Sequence, residues 1–201
     1  MSVPSKRLAA INEDLRSGEK DRMSLALRSL NEILRAREAD ASSLPALTML
    51  LHDDDADIRR SATWSVGKLA QNKVAGDFPL DDLITLLGDE DAEVRENAAW
   101  ALGELAGTGA GREEAIERLN ALMDDASAHV RGMAIWALGR MAERMHLAHC
   151  SSVPRLEALL KDKSLYVSKG AEWTLERIRA LEPRTGLGER PTEGRQPPSH
   201  Q

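Results

Sequence analysis

The sequence is short of several residue types, and each scarcity excludes something. One cysteine, Cys150, stands in 201 residues, so no disulfide can form within the chain and a reducing, cytoplasmic setting is expected. Aromatic residues make up only 3% of the chain, which leaves Leu, Ala, Val, Ile and Met to build the core. No apolar run is long enough for a signal peptide in MSVPSKRLAAINEDLRSG, or for a membrane span further on. Lys and Arg number 27 against 33 Asp and Glu, a net charge of −6; this balance argues against a generic nucleic-acid binder. Phosphate loops of the G-x-x-x-x-G-K-[ST] or G-x-G-x-x-G kind are missing. The glycine-rich GTGAG (107–111) has no strand before it and reads as a flexible connection between helices.

What the chain does have is a repeat. IRRSATWSVGKLA (58–70), VRENAAWALGELA (94–106) and VRGMAIWALGRMA (130–142) are variants of one segment, with a weaker copy, VSKGAEWTLERIR, from Val167. Each contains one tryptophan, at 64, 100, 136 and 173, so the offsets are 36, 36 and 37. Seven residues before each copy stands Leu51, Leu87, Met123 or Leu160, and four further back Leu47, Leu83, Leu119 or Leu156. Each period therefore predicts a first helix, a polar turn and a second helix. Asp55, Asp91, Ser127 and Ser164 occupy the N-cap position of the second helices. Pro45 and Pro154 stand early in first helices, where the missing donor is not needed. Val94, Ala98, Leu102 and Leu105 form one stripe of the second helix, and Ile58, Ala62, Val66 and Leu69 are its counterpart one copy earlier. No helix pair can bury both stripes alone, whereas stacked pairs can. The expected fold is all-α, a right-handed α-solenoid with four clear repeats at 44–79, 80–115, 116–152 and 153–182. A degenerate capping pair at 5–43 precedes them, completing a repeat domain over 1–182. Segment 183–201, rich in proline and glycine with Leu187 as its one aliphatic residue, is expected to be a disordered tail.

The pattern V-R-x-x-A-x-W-A-L-G-x-L after an acidic turn resembles HEAT repeats of the phycobilisome-lyase HEAT-like type over roughly residues 44–180. The resemblance implies a ladder of Asp–Arg contacts between neighbouring repeats, built on Asp53/Arg59, Asp89/Arg95 and Asp125/Arg131. The last copy keeps Asp162 but has Ser168 in place of arginine, as a terminal repeat would. It also implies that the second helices line the concave side.

On a helical wheel the tryptophans fall opposite the core stripe. The predicted concave face carries Trp64, Trp100, Trp136 and Trp173 among Arg60, Lys68, Glu96, Glu104, Arg140, Lys169 and Arg177, with Glu172 at its margin. Two roles stay open for the indoles. They pack along the neighbouring helix with the ring N–H in water, or they form a row that binds a partner, since Trp and Arg are enriched in binding hot spots. The mixed charges suit a helix or extended segment of another protein better than a phosphate backbone.

Catalytic relatives with this repeat were weighed on their residues. The His-Glu pairs that hold di-iron in deoxyhypusine hydroxylases are here Arg60-Ser61, Glu96-Asn97, Gly132-Met133 and Lys169-Gly170, so that ligand set is missing. A glycosylase-like reading finds tryptophans and carboxylates but too few cations. Nothing singles out a chromophore site for a lyase. His146, His149 and Cys150 form one ligand-type cluster, but no second pair accompanies them and they read as a helix end. No metal, cofactor or catalytic residue is expected. The predicted function is a protein-binding scaffold; the alternative is an accessory or catalytic subunit of a modifying enzyme.

Overall fold

A computed structural model describes residues 5–146 and 151–181. The described residues form ten α-helices: α1 Lys6–Asp14, α2 Lys20–Arg35, α3 Leu44–Leu50, α4 Ala56–Gln71, α5 Leu80–Leu86, α6 Ala92–Ala106, α7 Glu114–Leu122, α8 Ala128–Met145, α9 Ser152–Leu159 and α10 Leu165–Leu181. They pair in sequence, short helix then long, and the pairs stack into an α-solenoid. The long helices α4, α6, α8 and α10 pack one on the next along their length, while successive short helices barely touch.

The long helices start where the turn chemistry says they should. Asp55, Asp91 and Ser127 each accept from backbone N–H groups of the first turn of α4, α6 and α8, the arrangement that satisfies orphan donors. They also end alike. Arg37, Lys73, Gly109 and His146 all have positive φ, between 54° and 84°, one at each end of α2, α4, α6 and α8. The residues after the first three return an N–H to a carbonyl five back, as in Glu38 to Ile33, Val74 to Leu69 and Ala110 to Leu105, at 3.0–3.1 Å. His146 is thus a helix cap; His149 and Cys150 lie outside the described residues, as does the 183–201 segment.

Burial follows the predicted stripes. Val94, Ala98, Leu102 and Leu105 are all fully buried, as are their counterparts in α4. Leu8 and Ile11 of α1, Leu15 at its C-cap, and Ala26, Leu30 and Ile33 of α2 continue the core into the N-terminal pair. That pair is in true register. Asn12 of α1 is buried, accepting from Ser43 Oγ at 2.7 Å and donating to Ser42 Oγ at 3.0 Å. Three periods on, Asn120 of α7 accepts from Ser152 Oγ at 2.7 Å and donates to Ser151 Oγ at 3.2 Å. One member of the expected core is not buried: Leu160 is 44% exposed, because no described short helix follows α9 to cover it.

Candidate partner-binding face

The face is best built from the turn that orients it. Asp53, Asp89, Asp125 and Asp162 each hold their repeat's turn, and the last three also receive the neighbour. Asp89 Oδ1 accepts from Asp91 N–H at 2.9 Å, and the same carboxylate takes Arg59 of the preceding repeat through Nε at 2.8 Å and Nη2 at 3.0 Å. Arg59 Nη1 meanwhile donates to the carbonyls of Asp53 and Asp54, at 2.9 and 3.0 Å. Arg95 bridges the Asp89 carbonyl and the Asp125 carboxylate in the same way, and Arg131 the Asp125 carbonyl and Asp162. The expected pairing of Asp53 with Arg59, Asp89 with Arg95 and Asp125 with Arg131 is therefore corrected. Within a repeat the arginine binds the backbone, and its carboxylate partner belongs to the next repeat. Ser168 replaces arginine in the last copy, where no described aspartate follows.

Above this ladder the tryptophans are half-buried. Trp100 lies on Gly67 of the preceding repeat, so closely that a Cβ there would come within 2.5 Å of the ring. Trp136 covers Gly103 and Trp173 covers Gly139 in the same manner. Glycine inside a helix costs about 1 kcal/mol against alanine; its recurrence three residues after each of the first three tryptophans is the sequence signal of this close approach. Part of the remaining ring surface is covered as well. Trp64 and Trp100 stack with centroids 6.3 Å apart and planes at 29°. Arg35, Arg140 and Arg177 place their guanidinium carbons 5.5, 5.6 and 3.6 Å from the rings of Trp64, Trp136 and Trp173. The indoles thus take part in repeat packing and keep an exposed edge.

The expected charged companions divide. Arg140 and Arg177 belong to the indole row. Lys68 donates to Gln71, which donates to Glu104 at 3.1 Å, tying two companions into one chain. Arg60 is drawn to the turn edge, bidentate on Asp91 at 3.0 and 3.2 Å and on Asp57 at 2.7 Å. Lys169 pairs with Glu172 at 2.7 Å, both exposed. Glu96 is half-buried, and desolvation pushes its carboxyl above the usual glutamate range; Glu93 adds to the shift and His129 opposes it. Beside this carboxyl, Tyr166 lies on Gly132 of the preceding repeat and is 50% exposed.

Beside Arg60 and Trp64, residues that the sequence pattern did not bring to this face line a groove in it. Between α2, α4 and α6 runs a groove of about 520 Å³, walled by Arg28, Asn31, Arg35, Arg60, Trp64 and Asn97 among others. Arg28 was legible as the residue standing where tryptophan would be in the N-terminal pair; Arg35 has no repeat counterpart that would have marked it. Among the described residues there is no group of three or more His, Cys, Asp or Glu placed to hold a metal. Among them, too, no helix is long and apolar enough to cross a membrane.

Comparison with known proteins agrees with this architecture. Residues 117–186 match the family model of HEAT repeats, and residues 23–113 that of the non-SMC mitotic condensation complex subunit 1. No curated protein matches the chain. Among solved structures, a computationally designed armadillo repeat protein for modular peptide recognition superposes with a TM-score of 0.70 at 22% identity, over 85% of this chain and 82% of that one. A designed armadillo repeat protein in complex with the peptide (KR)4 gives 0.64 at 23%, over 88% of both chains. An engineered protein gives 0.69 at 23%, over 87% and 80%. The described residues form an all-helical solenoid that shares its fold with armadillo repeat proteins, and its residues 117–186 are similar to HEAT repeats.

Proposed function

We propose that the chain is a protein-binding scaffold whose inner, long-helix face holds a segment of another protein. The observation that carries this reading is the indole row: four tryptophans at one helical position, each half-exposed and each fixed by packing and by stacked cations or a second indole. Rigid aromatic groups with one wet edge lose little entropy on binding and supply most of the contact energy in many interfaces. The charges beside them set register and exclude wrong partners. Solenoid neighbours that recognise peptides support the class of ligand. Neither the family matches nor those neighbours favour the alternative of an enzyme subunit. On the V-R-x-x-A-x-W pattern we further assign the repeats to the phycobilisome-lyase HEAT-like type, with boundaries at 44–79, 80–115, 116–152 and 153–182. The single cysteine supports a cytoplasmic setting.

Site-specific photo-crosslinking in the native host tests the scaffold reading. A photoreactive residue in place of exposed Lys169 or Arg28, on the inner face, is expected to capture a protein partner. The same group at Met49 or Arg118, exposed on short helices, is expected to capture none. Partners caught from the short-helix positions alone would sink the proposal.

A further inference from the structure

The groove at the N-terminal end of the long-helix face has an uneven charge pattern. Arg28 and Arg35 stand seven residues apart on α2, and both line it. Neither has a carboxylate partner: Arg28 makes only a 3.4 Å bond to the Ser24 carbonyl, and Arg35 lies over the Trp64 ring. The groove's own acids are occupied. Asp57 is bound by Arg60 at 2.7 Å, and Glu93 stands 3.9 Å from the same guanidinium. Asn31 accepts from Ser65 at 2.8 Å through Oδ1, which leaves its amide N–H groups to donate, and the Ser24 and Ser61 hydroxyls line the same space.

We infer that this groove takes an acidic segment of a partner protein, with carboxylates placed against Arg28 and Arg35 and its chain lying across Trp64. The inference rests on the scaffold reading above and adds the partner's chemistry to it. The physical case is charge complementarity. Two guanidinium groups without counter-ions, in a concave wall next to an indole, form charge-assisted and often bidentate bonds to carboxylates. A basic segment would meet like charge, and it would find the Trp64 face already occupied by Arg35. A phosphate backbone needs a continuous row of cations. Here Asp57 and Glu93 interrupt the groove, in a chain of net charge −6.

The test uses the full chain and three fluorescein-labelled octapeptides: alternating glutamate and leucine, alternating lysine and arginine, and alternating glycine and serine. Fluorescence anisotropy is expected to show binding of the acidic peptide alone, weakening as salt is raised. Arg28→Gln with Arg35→Gln should reduce that affinity roughly tenfold or more, the loss expected for charge-assisted bonds. Arg118→Gln, on α7 outside the groove, should leave it unchanged, and circular dichroism would verify that all variants stay helical. Binding of the basic peptide, quenching Trp64, would overturn the acidic assignment and leave the scaffold reading standing. Tighter binding of an oligothymidylate than of the acidic peptide would overturn it in favour of nucleic acid. Binding of none of the probes, while inner-face crosslinks still capture a partner, would also refute the acidic groove; loss of both would remove the scaffold reading with it.

Discussion

At the scale of single residues, the most informative contact is an indole on a glycine. Gly67 exists because Trp100 rests where its side chain would be, and the same Cβ would come within 3.1 Å of Ala101 Cβ. Gly67→Ala ought to gain up to about 1 kcal/mol of helix propensity. Overpacking against a ring held by its neighbours costs about 1–3 kcal/mol, and is expected to win. In a Trp100→Ala background the obstacle is gone, so the same change should become neutral or stabilising. Urea denaturation of the four proteins in this cycle measures the coupling; equal effects of Gly67→Ala in both backgrounds would show that the glycine is not there for the indole. The wheel puts the tryptophans opposite the core stripe, yet it could not show which residue each ring packs on. A wheel describes one helix, and the glycine that receives each ring belongs to the helix before it. Arg35 was hidden for a related reason: it acts on a tryptophan of the next repeat and recurs nowhere.

At the scale of elements, the turns hold the stack together. Asp89, Asp125 and Asp162 each close their own turn and take a bidentate arginine from the preceding repeat, in a setting where both side chains are largely covered: 9% and 18% exposed for Asp162 and Arg131. The Arg131 hydrogen bond, helped by the Ser164 N–H, holds the Asp162 carboxyl below the usual aspartate range. The native state thus favours the ionised form. That stability is complete above the unfolded-state value and is lost as pH falls through the folded one. Asp162→Asn is expected to cost more than the roughly 0–1 kcal/mol of an exposed pair at neutral pH, because it strands a covered guanidinium. The difference from the parent protein should shrink in acid. Asp54→Asn, on an exposed side chain of an equivalent turn, should change little. Chemical denaturation across a pH series checks both. Asp and Arg were legible as ladder residues, but their pairing was not. In a periodic sequence an aspartate six residues before an arginine and one thirty residues after it are equivalent marks, and only the stacked backbone decides between them. The register of α1 was similarly obscure, since it rests on a buried Asn–Ser–Ser cluster shared with α7, signalled only by S-S-L-P (42–45) and S-S-V-P (151–154).

At the scale of the whole molecule, stability is a sum of similar interfaces, each repeat touching its neighbours alone. This has a consequence that can be built. Leu80 and Ile116, like Leu83 and Leu119, are one period apart, so removing 80–115 joins Pro79 to Ile116 in register. The ring-on-glycine contact and the Asp–Arg ladder then find equivalent partners. Trp136 would lie on Gly67 in place of Trp100, and Arg59 would meet Asp125 in place of Asp89. Some bonds have no substitute: Arg60, bidentate on Asp91, would face Ser127; Gln71, which donates to Glu104, would face Arg140; and the Arg60 carbonyl, which accepts from Asn97, would face Met133. The shortened chain is therefore expected to fold, with helical signal per residue unchanged. It should unfold in one transition at lower denaturant, with an m value reduced in proportion to the surface removed. A control deletion two residues out of period would set Trp136 against a helix position without glycine and separate Arg59 from any aspartate. It should lose cooperative unfolding altogether. If both deletions behaved alike, the indole row and the ladder would not be what fixes the stacking, and the fold would owe its register to the apolar stripes alone.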